Sequence, residues 1–202
     1  LAPASDLVVF NPLSWQRRDL VVTEKAEAVE DLASKQTIPC QALPEGGTCF
    51  IASDLPSVGY RTYRHASARK AMTTVTISGN QMENEFYRVV LDPKTGALKS
   101  VFDKEAGREL VDAQSENGLG EVIYVSGGEG SYAVHSDLKG LPAPRFSYHR
   151  PAVVGVRQVN GPVFGELASE AKAEKLPKIT LRVRLYHGLK RLDLICDLDK
   201  EE

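Results

Sequence analysis

The strictest constraint in this sequence lies near its end. Leu181, Val183 and Leu185 alternate with Arg182, Arg184 and Tyr186, and Leu192, Leu194, Cys196 and Leu198 alternate with Asp193, Ile195, Asp197 and Asp199. A period of two marks a strand with one face on a core. Between the runs stands Gly188-Leu189. Read as a two-residue type II′ turn, it puts glycine at the first central position, where that turn needs positive φ. The register then sets Leu185 opposite Leu192 and Val183 opposite Leu194, with Arg184 opposite Asp193 on the other face.

The rest of the chain repeats this grammar in shorter pieces. Leu7 to Phe10 is an apolar run stopped by Asn11-Pro12, which predicts a buried strand entering a turn. Residues 18–23, 37–43 and 48–52 read as extended, the last two around Pro44-Glu45-Gly46-Gly47. Residues 24–35 are rich in Glu, Ala and Lys, so propensity predicts a turn or two of helix there. Residues 56–63 close the first unit, and the polar stretch 64–72 reads as a linker. Strands are expected again over 73–78, 85–91 and 97–102, with Asp92-Pro93-Lys94-Thr95-Gly96 as the turn between the last two. Residues 121–125 are short and apolar, 126–131 read as a flexible glycine-rich loop, and 153–159 and 164–168 as strands. No helical crossover recurs, so the chain is mostly antiparallel β and does not encode a parallel α/β barrel.

Composition narrows the function classes. The 202 residues carry 25 Lys and Arg against 27 Asp and Glu, a net charge of −2. That balance argues against nucleic acid as a partner. The longest apolar runs are a few residues, too short for a membrane-spanning helix, so no membrane partner is expected. The sequence begins at Leu1 without a signal-peptide pattern and reads as a piece of something longer. Its three cysteines, Cys40, Cys49 and Cys196, are expected to be reduced and mostly buried, with a Cys40–Cys49 bridge as the less favoured alternative.

No strong catalytic motif is present. There is no phosphate loop, no His-Glu-x-x-His and no Cys-x-x-Cys, and no histidine stands at metal-ligand spacing, so no catalytic residue, metal ligand or cofactor is assigned in this chain. Asp193, Asp197 and Asp199 share a strand face and offer the two carboxyl groups that glycoside hydrolysis needs. The simpler reading is a solvated face paired with Arg182 and Arg184. Substrate-contact candidates are Gly127, Gly128 and Glu129 in the glycine-rich loop, Tyr132 as an aromatic platform, and His149 in the polar-aromatic patch Tyr148-His149-Arg150. Tyr60, Tyr63 and Tyr148 are further exposed platforms if they do not pack in the core. His149 or His135 beside Glu121 or Glu129 would make an epimerase-like proton-transfer pair.

Several stretches carry a family resemblance, in order along nearly the whole chain. Phe10-Asn11-Pro12-Leu13-Ser14-Trp15 resembles the "FNPLSW" strand and turn of the glycoside hydrolase family 38 α-mannosidases. Pro56 to Tyr63 resembles their "P-x-x-G-Y-x-x-Y" segment, and Glu83 to Val89 with Asp92 to Gly96 and Asp103-Lys104 resembles their "ENEFYRV…DP-x-TG…DK" hairpin. Arg184 to Arg191 and Asp199-Lys200-Glu201 also fit. The resemblance implies an all-β fold, a β-sandwich followed by part of a galactose-mutarotase-like supersandwich. It implies a small sandwich with linker over 1–72 and the first part of the supersandwich over 73–202. It also implies a larger retaining enzyme whose zinc ion, nucleophile and acid/base belong to a barrel outside this sequence. The expected partners are the remaining domains of that enzyme and an α-mannoside. The alternative is a stand-alone carbohydrate-binding β module.

Overall fold

The computed structural model describes residues 6–67, 73, 75–127 and 145–201. Strands there, in chain order, are β1 (Leu7–Asn11), β2 (Arg17–Thr23), β3 (Ala28–Asp31), β4 (Thr37–Pro39), β5 (Gln41–Ala42), β6 (Thr48–Leu55) and β7 (Gly59–Ala66). The second half holds β8 (Thr76–Ser78), β9 (Gln81–Glu83), β10 (Tyr87–Leu91), β11 (Leu98–Asp103), β12 (Arg108–Glu109), β13 (Tyr124–Gly127), β14 (Phe146–His149), β15 (Ala152–Asn160), β16 (Phe164–Ala173), β17 (Leu176–Tyr186) and β18 (Leu189–Asp199). Every named pairing is antiparallel and the described residues contain no helix, so the fold class is all-β.

Four sheets stack as layers. The sheet β1-β7-β3-β4 packs on β2-β6-β5 through Val29 and Tyr63 from one side and Phe50, Ala52 and Leu55 from the other. The sheet β15-β16-β17-β18 packs on β12-β11-β10-β9-β8 through Leu167, Val183 and Leu185 against Met82, Val89, Leu91 and Leu98. The two pairs then share a third core, in which Cys49 and Ile51 of β6 meet Phe164 and Tyr186. Central strands β6 and β17 are therefore buried on both faces for most of their length. A short ribbon, β13-β14, flanks the stack.

The final hairpin pairs in the expected register: Leu185↔Leu192, Val183↔Leu194 and Arg184↔Asp193. Its turn differs. Tyr186 pairs with Leu189, so His187-Gly188 are the central residues, and the positive φ of 62° falls on the second of them. That is not a type II′ turn. The turn at Asp92–Gly96 forms as read: the Gly96 amide donates to Asp92 O at 2.8 Å, and Gly96 takes φ 74°.

Other expectations are corrected. Residues 28–31 form a strand, not a helix, because Ala28, Val29 and Asp31 are buried while the backbone pairs with β4 and β7. Tertiary pairing overrides a weak local propensity there. β1 is buried on one face only: Leu7, Val9 and Asn11 turn inward, whereas Val8 and Phe10 face solvent. Arg64, His65 and Ala66 belong to β7 rather than to a linker. Ser126 and Gly127 belong to β13, paired with Ser147 and Phe146, rather than to a loop. The three thiols are free, but Cys196 is exposed. Burial pushes the Cys40 thiol up to about 11 and Cys49 to about 12.

Candidate functional site

Two polar sites are built by the layers. The first is the junction between the two pairs of sheets. Arg182 and Arg184 alternate with core residues on β17 and so point toward β2-β6-β5, where they are 6% and 2% exposed. This contradicts the solvated face expected from sequence. Glu45, in the turn between β5 and β6, reaches across. Its carboxylate accepts from Arg184 Nη1 at 2.7 Å and Nη2 at 2.6 Å, and from Arg182 Nη1 at 3.0 Å. Arg184 Nε also pairs with Glu166, directly opposite on β16 and 0% exposed. Its guanidinium lies 4.8 Å over the Phe164 ring. Burial alone would lower the Arg184 pKa, but its hydrogen bonds to Glu45 and Glu166 raise it above the ordinary value. The Arg184 contact, opposed by burial, holds the Glu45 carboxyl below its usual range. Gln41 completes the junction like an added strand residue: its Oε1 accepts from the Val163 and Phe164 amides at 2.9 Å each, and its Nε2 donates to Phe164 O at 3.0 Å.

The aspartates of β18 are drawn into the same electrostatics. Asp197 accepts from Arg182 Nη2 at 2.6 Å. Asp193 accepts from Arg191 Nε at 2.6 Å and from the Tyr186 hydroxyl at 2.6 Å. Of the pairings read from sequence, Asp197 meets Arg182 as expected, while Asp193 pairs with Arg191 rather than with Arg184.

The second site is a cleft of about 560 Å³ between the start of β11 and the segment 111–121. Arg150, just past β14, enters it, pairs with Glu121 and donates to Asn117 Oδ1 at 3.0 Å. Glu121 also accepts from the Gly118 amide at 2.8 Å. Lys99, Asp112 and Glu116 line the rim over a floor of Ala97, Leu98 and Val111. Such a set can hydrogen-bond hydroxyl groups.

The sequence-derived candidates scatter relative to these sites. His149 sits on β14, with Nε2 2.9 Å from Ser126 Oγ and Nδ1 3.9 Å from Glu174. Glu121 is paired with Arg150 instead. Gly127 ends β13, where any side chain's Cβ would collide with Arg145 O. Gly128, Glu129, Tyr132 and His135 lie outside the described residues. Of the tyrosine platforms, Tyr60 and Tyr148 are exposed, while Tyr63 is buried against Phe50, ring centroids 5.1 Å apart. Arg150, Asn117 and Glu45 were not singled out as site residues. They stand 29 or more positions from the partners they meet, and no local motif marks such contacts.

Residues 82–202 match the family model described as glycosyl hydrolases family 38 C-terminal domain. The chain belongs to glycosyl hydrolase family 38. No curated protein matches it. The family 38 match covers β10 through β18 and so takes in both arginines of the junction and the whole cleft. Among the described residues, no group of three or more His, Cys, Asp or Glu is placed to hold a metal ion.

Proposed function

We propose that this chain is the non-catalytic β region of a retaining α-mannosidase. Residues 1–72 would form its small sandwich and 73–202 the first part of its supersandwich. In this reading the chain supports a catalytic barrel outside this sequence, which brings the zinc ion, and the α-mannoside is that barrel's substrate. The observation that carries the reading is the family 38 match, together with the use of charge in this chain. Glu45, Glu166 and Asp197 all pair with Arg182 or Arg184: Glu45 ties one layer to the next, and Glu166 and Asp197 hold the arginines from neighbouring strands of their own sheet. A retaining glycosidase instead needs two carboxyl groups about 5–5.5 Å apart flanking the scissile bond.

The test is an aryl α-mannoside assay in two settings. With zinc added, the 202-residue chain is expected to release no product. The full-length polypeptide containing it is expected to hydrolyse α-mannosides, and to lose activity or solubility on Glu45→Lys, which sets a cation against both arginines. Turnover by the chain alone, or a full-length enzyme that cleaves a different glycoside, would refute the proposal.

A further inference from the structure

The sequence holds two Asn-Gly dipeptides, Asn117-Gly118 and Asn160-Gly161. Asparagine is a thermally labile residue, and a glycine after it offers no side chain to hinder attack by the glycine nitrogen on the carboxamide. That attack closes a five-membered succinimide and expels ammonia. The fold treats the two dipeptides in opposite ways.

Three groups that promote the reaction converge on Asn117-Gly118. Asn117 is exposed, in the irregular segment that lines the Arg150 cleft. Arg150 Nη2 donates to Asn117 Oδ1 at 3.0 Å, and Nη1 of the same guanidinium pairs with Glu121. The Gly118 amide, which carries the nucleophilic nitrogen, donates to Glu121 Oε2 at 2.8 Å. The Glu121 side chain is only 6% exposed, so water competes little for its carboxylate. The Ser115 hydroxyl donates to Asn117 O at 2.8 Å, the carbonyl of the peptide unit to which the Gly118 nitrogen belongs. A hydroxyl thus draws electrons from that peptide unit, a carboxylate stands ready for its proton, and a cation polarises the carbonyl under attack. Packing also demands the glycine: a Cβ at 118 would stand 2.6 Å from Ala97 Cβ.

Asn160-Gly161 has none of this help. Asn160 is the last residue of β15 and pairs with Gly165. Its Nδ2 donates to Val75 O at 3.0 Å. The Gly161 amide donates to Phe164 O at 3.2 Å, a neutral acceptor, and the Gln41 side chain closes over Gly161. Carboxamide and nitrogen are each tied elsewhere. One chain therefore contains the same dipeptide in an assisted and in a restrained setting.

We propose that Asn117-Gly118 is a self-modifying site, at which the chain converts its own asparagine to aspartate and isoaspartate. The Gly118 nitrogen bonds to Asn117 Cγ, and Arg150 holds the negative charge that develops on Oδ1. The Gly118 proton passes through the Glu121 carboxylate to Nδ2, the Cγ–Nδ2 bond breaks, and ammonia leaves. Water from the open cleft then hydrolyses the ring. Cleavage of the nitrogen's bond to Cγ leaves aspartate; cleavage of its bond to the main-chain carbonyl carbon leaves isoaspartate. Nothing is oxidised or reduced, and water is the co-reactant. The product sets a carboxylate where Arg150 now holds a neutral amide, so the cleft gains a negative charge beside the one Glu121 already supplies. The site does not depend on the α-mannosidase reading.

The test incubates the full-length polypeptide containing this chain at neutral pH in H₂¹⁸O, folded and in concentrated urea, and follows both dipeptides by peptide mass mapping. In the folded protein Asn117 is expected to take up ¹⁸O about tenfold or more faster than Asn160, and faster than Asn117 itself does in urea, where the assisting groups disperse. In urea the two sites should convert at similar rates. Methyl transfer by an isoaspartyl methyltransferase should mark residue 117. Glu121→Gln and Ser115→Ala should each slow conversion at 117 and leave Asn160 unchanged. Should Glu121→Gln fail to fold, the folded and unfolded wild type still decide. Conversion of Asn117 no faster in the folded protein than in urea, or no faster than that of Asn160, overturns the inference. So does a folded Glu121→Gln variant that converts at the wild-type rate.

Discussion

Two regions of this molecule invert the usual distribution of residues. On β17 the guanidinium groups of Arg182 and Arg184 lie inside, between stacked sheets. On β1 and β7 the rings of Phe10 and Tyr60 lie outside. Both sets alternate with core residues along their strands, so each occupies the second face of a sheet whose first face is already packed. The difference is whether another layer arrives. β17 receives β2-β6-β5, and Glu45 comes with it. The outer face of β1-β7-β3-β4 receives nothing among the described residues. Burial of a second face is thus a property of the stack, and the charges on β17 are stable there only because carboxylates were delivered to meet them.

The comparison breaks most violently at Arg184. Arg184→Met leaves Glu166 buried beside no cation, and should cost about 3–5 kcal/mol in denaturant unfolding. Adding Glu166→Leu should recover most of that loss. A single variant as stable as wild type would show the arginine face to be wet. Next comes Gln41→Ala, which strips partners from the Val163 and Phe164 backbone and should cost about 1–3 kcal/mol. Gly188→Val is smaller, about 1 kcal/mol or somewhat more, because valine resists positive φ and its Cβ would meet the Arg18 guanidinium. Melting temperatures check both.

Acid should loosen the junction more gently. The Glu45 pKa is depressed by Arg184 in the folded state, so its contribution to stability is full above its ordinary value of 4.5 and fades as pH falls below it toward the folded value. Glu45→Gln should flatten this part of the stability-versus-pH curve, measured by urea unfolding between pH 3 and 6. The smallest effect belongs to the outer face. Tyr60→Ser should change stability by no more than about 0.5 kcal/mol, as for an ordinary surface site. A loss comparable to that of Arg184→Met would mean the two faces are not opposites at all.

Reading the sequence recovered most strands and failed where a third partner intervened. The hairpin register of β17 and β18 was legible because period-two alternation, together with a glycine near the turn, admits few pairings. The strand at 28–31 was not, since Glu- and Ala-rich sequence favours helix until β4 and β7 claim its backbone. The β1 run, apolar throughout, looked buried because sequence does not say how many layers a sheet receives. The cleft was invisible for a related reason: Arg150 and Glu121 are joined across 29 positions with no local pattern.

What the sequence determined by itself was therefore local: the all-β class, the turn at Asp92–Gly96, the alternation that gives each strand two faces, and the family. Those follow from short-range sterics and from periodicity, which any stretch of chain carries with it. Only the tertiary structure decided which second faces are covered, that Arg182 and Arg184 are clamped by Glu45 rather than solvated, and that Phe10 and Tyr60 stand in water. Those outcomes depend on contacts between residues far apart in sequence, from Phe10 with Tyr60 to Glu45 with Arg184 across 139 positions, and a long-range contact has no local signature.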